Sequence, residues 1–362
     1  MKQMITVDFA EESYGFPTDI CLSNDYQTIL VSTSKGYVLT FAVDCLNKSS
    51  RLKMVNNDEL IIHKLLPLKS NFYIVFAEDG RIFLCDPDKS FIASVGIEED
   101  VDLGSIHSAA YHAEVDQLYL GNESGDLFCC NLNLKKANLT VLQKFDHHDD
   151  FISSIVICHT KKTILVGSGD GRMSVVDMKK KKLIATTKNF DEDVTAVRLV
   201  EELGKIVLGT SGGALKVFDW NYWGAPCDSL KPNAHNRAGI NAICVLTGGR
   251  IITATDDGIL RLISLVPKLD YPIKIGEFED DIQSVIALPN TERVALIPAC
   301  ESVLHIIPIS SSSSQEETNS DEARSSEEQE ECNPRKKKKK NIKSGEIINS
   351  RSDATAFFKD LD

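Results

Sequence analysis

The groups in this 362-residue chain that could do chemistry are few and scattered. The densest titratable cluster is His147-His148-Asp149-Asp150. Two adjacent side chains leave the backbone in different directions, so these histidines are badly placed to share a metal, and no third ligand stands where it would complete a site. Ten cysteines occur at positions 21, 45, 85, 129, 130, 158, 227, 244, 300 and 332. They contain no Cys-x-x-Cys pair and no zinc-finger spacing, and read as small buried apolar residues and free thiols of a reducing compartment. Ser168-Gly169-Asp170-Gly171 has the glycines of a phosphate loop but not its Lys-Ser/Thr, and a hairpin follows it instead of a helix. Neither Gly-x-Ser-x-Gly nor His-Glu-x-x-His occurs. A Ser/His/Asp or Cys/His/Asp triad depends on spatial arrangement, which residue types leave open. The reading is a chain that is no enzyme and has no cofactor and no metal.

The elements that hold these residues repeat. Apolar runs alternate with Gly/Asp turns over residues 1–309, and the turns end at Gly36, Gly80, Gly125, Gly171, Gly213 and Gly258, spaced 44, 45, 46, 42 and 45 residues apart. A seventh unit is marked by Ser302, 44 residues after Gly258. After each glycine, apolar residues at +2 and +5 put one on each strand face, as at Val38 and Phe41 or Leu215 and Phe218. A strand apolar on both faces lies between two other layers. A period near 44 with this content resembles the WD40 repeat, with the Trp-Asp dipeptide replaced by Phe218-Asp219, Val176-Asp177 and Cys85-Asp86. The expected fold is all-β: a seven-bladed WD40 β-propeller over 1–309. Its last blade lacks a fourth strand, and Ile5, Val7 and Phe9, alternating with Thr6 and Asp8, would supply it and close the ring. In this frame His147-His148 precede the first strand of blade four and read as structural histidines bonding a turn, with His235 at the equivalent place before blade six.

Net charge is −13, and residues 1–309 hold 41 acids and 30 bases, net −11. A body that acidic argues against broad nonspecific duplex binding and leaves room only for a local basic patch. Lys179 to Lys182 is one basic run, read either as an edge strand guarded by charge or as a phosphate-contacting patch on the rim. No window approaches the roughly 18 apolar residues of a membrane span, and the first eight residues turn polar too soon for a signal peptide. A monomeric propeller without membrane contact, in cytosol or nucleus, is expected.

The two tryptophans fall together in Asp219-Trp220-Asn221-Tyr222-Trp223-Gly224-Ala225-Pro226-Cys227-Asp228, between the third and fourth strands of blade five. Trp220, Tyr222 and Trp223 form either a rigid exposed platform for a partner or a plug against their own blade. Residues 310–362 are of another kind. A serine run and a block of eight acids and one arginine over 315–331 lead to the basic arm Arg335, Lys336, Lys337, Lys338, Lys339 and Lys340. Such a tail cannot bury a core and reads as disordered. Its cations suit nuclear import and weak RNA contact. Ser325 and Ser326, before Glu327-Glu328, suit an acidophilic kinase. Phe357, Phe358 and Leu361 read as a docking peptide.

Several motifs together resemble the WD repeat-containing protein 55 family. They are Ser168-Gly169-Asp170-Gly171 with Lys179 to Lys182, Phe218-Asp219-Trp220-Asn221 continuing to Gly224-Ala225 and Asp228, Thr255-Asp256-Asp257-Gly258-Ile259-Leu260-Arg261 with Val266-Pro267, and the Phe-Phe-x-x-Leu end. The resemblance is good over 160–268 and at the C-terminus and loose over blades one to three. The acidic N-terminal extension of that family is missing, and the last blade lacks its Asp-Gly turn and Trp-Asp ending. The resemblance implies a non-enzymatic scaffold in nucleolar ribosome biogenesis and rRNA processing, in nucleus and nucleolus and also cytoplasm, with pre-ribosomal assembly factors as partners. The alternative is a substrate receptor of a cullin-RING ubiquitin ligase, for which Val176-Asp177-Met178-Lys179 is the nearest match to a Trp-Asp-x-Arg blade end.

Overall fold

The computed structural model describes residues 4–9, 14–44, 48–53, 60–86, 91–98, 101–230 and 238–309. The tail 310–362 and His235 lie outside them, as do Phe357, Phe358, Leu361 and the arm from Arg335 to Lys340. Strands form seven antiparallel sheets in chain order. Blade one is Pro17–Leu22, Thr28–Thr33, Tyr37–Ala42 and Lys48–Lys53; blade two is Ile62–Pro67, Tyr73–Ala77, Ile82–Asp86 and Phe91–Ser94. Blade three is Ile106–His112, Gln117–Asn122, Leu127–Asn133 and Asn138–Phe145; blade four is Ile152–Cys158, Thr163–Ser168, Met173–Asp177 and Lys182–Thr186. Blade five is Val194–Val200, Lys205–Thr210, Leu215–Asp219 and Asp228–Leu230; blade six is Ile240–Leu246, Arg250–Thr255, Ile259–Ser264 and Ile273–Glu277. Blade seven is Ile282–Leu288, Arg293–Pro298 and Val303–Pro308.

The expected closure is present. Ile5–Asp8 pairs antiparallel with Val303–Pro308, Ile5 opposite Ile306 and Asp8 opposite Val303. Thr6 Oγ1 meets His305 Nδ1 at 3.0 Å, and the Phe9 N–H donates to Ser302 O at 3.0 Å. Sequence reading missed one strand: Gly96–Ile97 adds in parallel to Asn138–Phe145, giving blade three a fifth strand.

The seven sheets bury seven apolar clusters, one in each gap between neighbours. This is why the third strands are apolar on both faces: in Ile82–Asp86 all five residues are buried, and in Met173–Asp177 four are. The six turn glycines have φ between 70° and 86°, the left-handed region that a tight hairpin requires. Gly209 has another role. A Cβ there would lie 2.6 Å from Ile240 Cγ2 of blade six, so the sheets can approach only over a bare Cα.

The turns divide between two ends. Connections from second to third strand and from one blade to the next share the upper end; those from inner to second and from third to outer strand share the lower. At the upper end one backbone bond recurs in every blade. The residue after the second strand donates to the carbonyl just before the inner strand, as in Ser34 to Phe16 O and Gly169 to Phe151 O, both 2.9 Å.

Gly209→Val should cost about 1–3 kcal/mol through overpacking. Gly224, where an added Cβ would meet nothing within 4 Å, should accept alanine without loss. Urea unfolding midpoints of the two variants check the contrast.

Candidate interaction surfaces

Every inner strand carries a β-bulge after its first residue. The extra residue is Thr18, His63, His107, Ser153, Thr195, Asn241 or Gln283, and all seven line a central channel of about 550 Å³. A bulge re-aims a side chain, and here it turns one polar group per blade into the upper mouth. These groups also tie blades together. Ser153 Oγ donates to Val194 O, Thr195 Oγ1 to Ile240 O, and Asn241 Nδ2 to Ile282 O at 3.3 Å. Ser108 Oγ, one residue beyond its bulge, donates to Ile152 O at 2.9 Å. Between blades one and two, buried Asp19 accepts from Leu65 N–H at 2.9 Å and pairs with Lys64 Nζ at 2.8 Å. The Lys69–Asp116 ion pair, 2.6 Å, spans blades two and three at the lower end. At the mouth His63 and His107 stack with centroids 5.4 Å apart, and Phe151 lies 5.9 Å from His107. Burial, and then the neighbouring His63, holds the His107 imidazole below its usual range. Arg198 also lines the channel, donating to Val197 O at 2.8 Å, and burial lowers its pKa.

His147 and His148 do bond a turn, and a serine that sequence reading did not connect to them completes the arrangement. His148 Nδ1 lies 2.8 Å from Asp170 Oδ2, and its Nε2 lies 2.8 Å from Ser174 Oγ. His147 Nε2 reaches the same oxygen at 2.8 Å. The other carboxylate oxygen of Asp170 accepts the Arg172 N–H at 2.9 Å, fixing the hairpin. A consistent proton arrangement runs from His147 N–H to the Ser174 hydroxyl, from that hydroxyl to His148, and from His148 N–H to Asp170. The residue types are those of a hydrolase triad, but Ser174 is wholly buried, with its oxygen engaged by both rings. No substrate carbonyl can reach it, so the relay serves to lock the loop before blade four to its turn.

The aromatic loop of blade five divides between the two expected readings. Trp220 and Trp223 are half-buried, edge to face at 5.4 Å, and pack on the cluster between blades four and five. Tyr222 is 72% exposed. The tryptophans are the plug and Tyr222 is the exposed group. Tyr271, at the corresponding lower-end connection of blade six and 88% exposed, was missed because it stands alone among Asp270 and Pro272. Lys182 opens the outer strand of blade four, with the rest of the basic run in the turn before it.

Among the described residues no three His, Cys, Asp or Glu side chains converge on a metal position. Eight described cysteines are free thiols, five of them buried, and Cys227 and Cys300 are exposed. Burial raises the Cys130 thiol to about 12 and Cys244 to about 11, which keeps both protonated. No helix among the described residues is long and apolar enough to cross a membrane.

Burial, followed by the neighbouring His148, lowers His147 to about 4 from an ordinary value of 6.5. Between those pH values the unfolded chain takes up a proton that the native relay refuses. Stability should therefore be complete above pH 6.5 and fall as pH drops toward 4. His107, His112 and His305 are shifted the same way by burial. Thermal midpoints of wild type and His147→Gln at pH 7.5 and 5 check this; the variant should lose less on acidification.

The chain matches no family model. It is 26% identical over 264 residues to the WD repeat-containing protein 55 homolog of Aedes aegypti, covering 70% of this chain and 52% of that protein. It is 25% identical over 212 residues to WD repeat-containing protein 55 of Homo sapiens, and 25% over 215 residues to that of Arabidopsis thaliana, each spanning 55% of this chain. The match covers 52% of the human protein and 59% of the plant protein. The chain thus spans about half the length of the curated relatives it matches. The β-propeller domain of Myceliophteria thermophila Cps50 (Swd1) superposes with a TM-score of 0.66 at 11% identity, over 84% of this chain and 98% of that one, a likeness of fold alone. With seven closed blades and relatives of one name from insect, plant and mammal, the chain is a WD40-type β-propeller similar to the WD repeat-containing protein 55 proteins.

Proposed function

We propose that this propeller is a non-enzymatic scaffold that holds pre-ribosomal assembly factors together in the nucleolus during rRNA processing. The observation that carries the reading is the similarity to WD repeat-containing protein 55 relatives from insect, plant and mammal, over 55–70% of this chain. The architecture suits that role. A rigid disc exposes two ends and a channel mouth, and several of the polar side chains at that mouth hold neighbouring blades together. Tyr222 and Tyr271 give the lower end of blades five and six two exposed aromatic anchors of the type that dominate protein interfaces. The arm from Arg335 to Lys340 would direct nuclear import, and Phe357, Phe358 and Leu361 would add a second, peptide-like contact. For the ligase reading, Val176-Asp177-Met178-Lys179 lacks the tryptophan and the arginine, and Asp177 is occupied in capping its own turn.

Affinity purification of the full chain should recover ribosome-assembly factors, and depletion should make rRNA precursors accumulate. Tyr222→Ala with Tyr271→Ala should cut recovery about tenfold or more, since truncating an interface hot spot costs about 2 kcal/mol or more. Recovery of a cullin adaptor with normal precursors would favour the other reading.

A further inference from the structure

In blades three and four of this acidic protein, charge is sorted by end. Their upper-end loops carry Asp102, Glu123, Asp146, Asp149, Asp150 and Asp170. Their lower ends carry eight lysines: 135 and 136, 161 and 162, and the run 179 to 182, the last of them at the start of the outer strand. Only Glu114, Asp116 and Asp177 lie among them, and Asp116 is paired with Lys69 of blade two. Lys162 pairs with Glu114 at 3.4 Å; the other seven make no ion pair among the described residues.

The lysines are displayed by a turn built twice. Asn133 Oδ1 accepts the N–H groups of Lys135 and Lys136 at 3.1 and 3.2 Å. One blade on, Asp177 Oδ1 accepts those of Lys179 and Lys180, both at 2.8 Å. The residue after each pair, Ala137 or Lys181, takes the left-handed conformation, φ 47° and 50°. Gln143 Nε2 donates to Lys181 O at 3.0 Å and fastens the blade-three sheet to the blade-four turn. The Met178 N–H donates to Lys162 O at 3.0 Å, tying the inner turn to the outer one. The backbone is thus fixed while the side chains of Lys135, Lys136, Lys161, Lys179, Lys180 and Lys182 are exposed.

We propose that the lower end of blades three and four binds the phosphate backbone of double-stranded RNA. Lysine is a compact point charge that meets phosphate without demanding bidentate geometry, and hairpin tips are convex, so a peptide finds no groove there while a regular polyanion needs only charge. The acidic upper end repels the same polyanion and leaves one orientation. The turns hold no tyrosine, tryptophan or phenylalanine for base stacking, so recognition is independent of sequence. That the polyanion is RNA and not DNA rests on the ribosomal reading above.

The test uses full-length chain with Lys336→Ala to Lys340→Ala, so that tail and blades are separated, and a fluorescein-labelled RNA duplex of about 20 base pairs, long enough to span two blades. Anisotropy should show binding that weakens steeply as salt is raised. Lys135→Glu, Lys136→Glu, Lys179→Glu and Lys180→Glu together should weaken it at least about tenfold and flatten the salt slope by about one unit per lost contact. Lys268→Glu, on blade six, should not. In the wild-type chain, duplex RNA should protect those four lysines from acetylation, a readout that needs no variant to fold. Binding that vanishes with the tail lysines alone overturns the proposal. So do unprotected turn lysines, tighter binding of a DNA duplex of the same length, and tighter binding of a polyglutamate peptide. Loss of RNA binding with pre-ribosomal factors still recovered would sink this surface alone; RNA binding without such factors would sink only the cellular reading.

Discussion

A blade of this propeller is apolar on both faces and so is stable only between two others. Everything else follows from that dependence. Each sheet shares its buried residues with both neighbours, and a ring of such sheets has no outer layer at which to stop. It must close or leave an apolar face in water. The strand Ile5–Asp8 completes the sheet whose other three strands come from the far end of the described chain. Phe9, 3% exposed, then packs in the cluster between blades seven and one. Closure is a backbone ladder supported by apolar burial, and it converts seven marginal sheets into one body.

The polar groups take second place to this packing, and their geometry shows it. The bulge in each inner strand leaves one polar residue per blade unpaired in the ladder, and several of these residues spend their hydrogen bonds on the next blade. The Asp170–His148–Ser174 relay does the same for one loop. A Ser/His/Asp set buried to this depth acts as a clasp: burial removes access, and the second histidine occupies a lone pair of the serine oxygen. With the interior given over to holding blades together, contact with other molecules falls to the two ends. These differ because turns alternate along a four-stranded meander. In blades three and four acids precede the inner strands and lysines follow the third strands, so there the two ends differ in charge.

Much of the fold was legible in the sequence because propeller repeats are written in short-range code. Glycine spacing gave the hairpins, apolar residues two and five positions later gave the doubly buried strands, and the alternation of Ile5, Val7 and Phe9 gave the closing strand. The bulges were less visible, since one extra residue does not disturb apolar spacing. A signal was present, however: an apolar residue followed by a polar one at Ile62-His63, Ile106-His107, Ile152-Ser153 and the equivalent places. Ser174 was not linked to His148 because they are 26 residues apart and meet only through sheet register. The lysines at 135–136 and 161–162 are ordinary singly and join Lys179 to Lys182 only when turns are assigned to ends. Tyr271 was passed over because a lone aromatic in a polar loop carries no pattern; only its exposure marks it. The parallel pair Gly96–Ile97 is too short to have a period at all.

The first strand is as much a part of blade seven as the strand it pairs with. Hydrogen–deuterium exchange of the native protein tests this directly. Amides of Ile5–Asp8 that are bonded across the ladder should exchange as slowly as their partners in Val303–Pro308, and both should lose protection together as urea is raised. Exchange within seconds at residues 5–8, with 303–308 still protected, would mean that the ring is held by something other than this pairing.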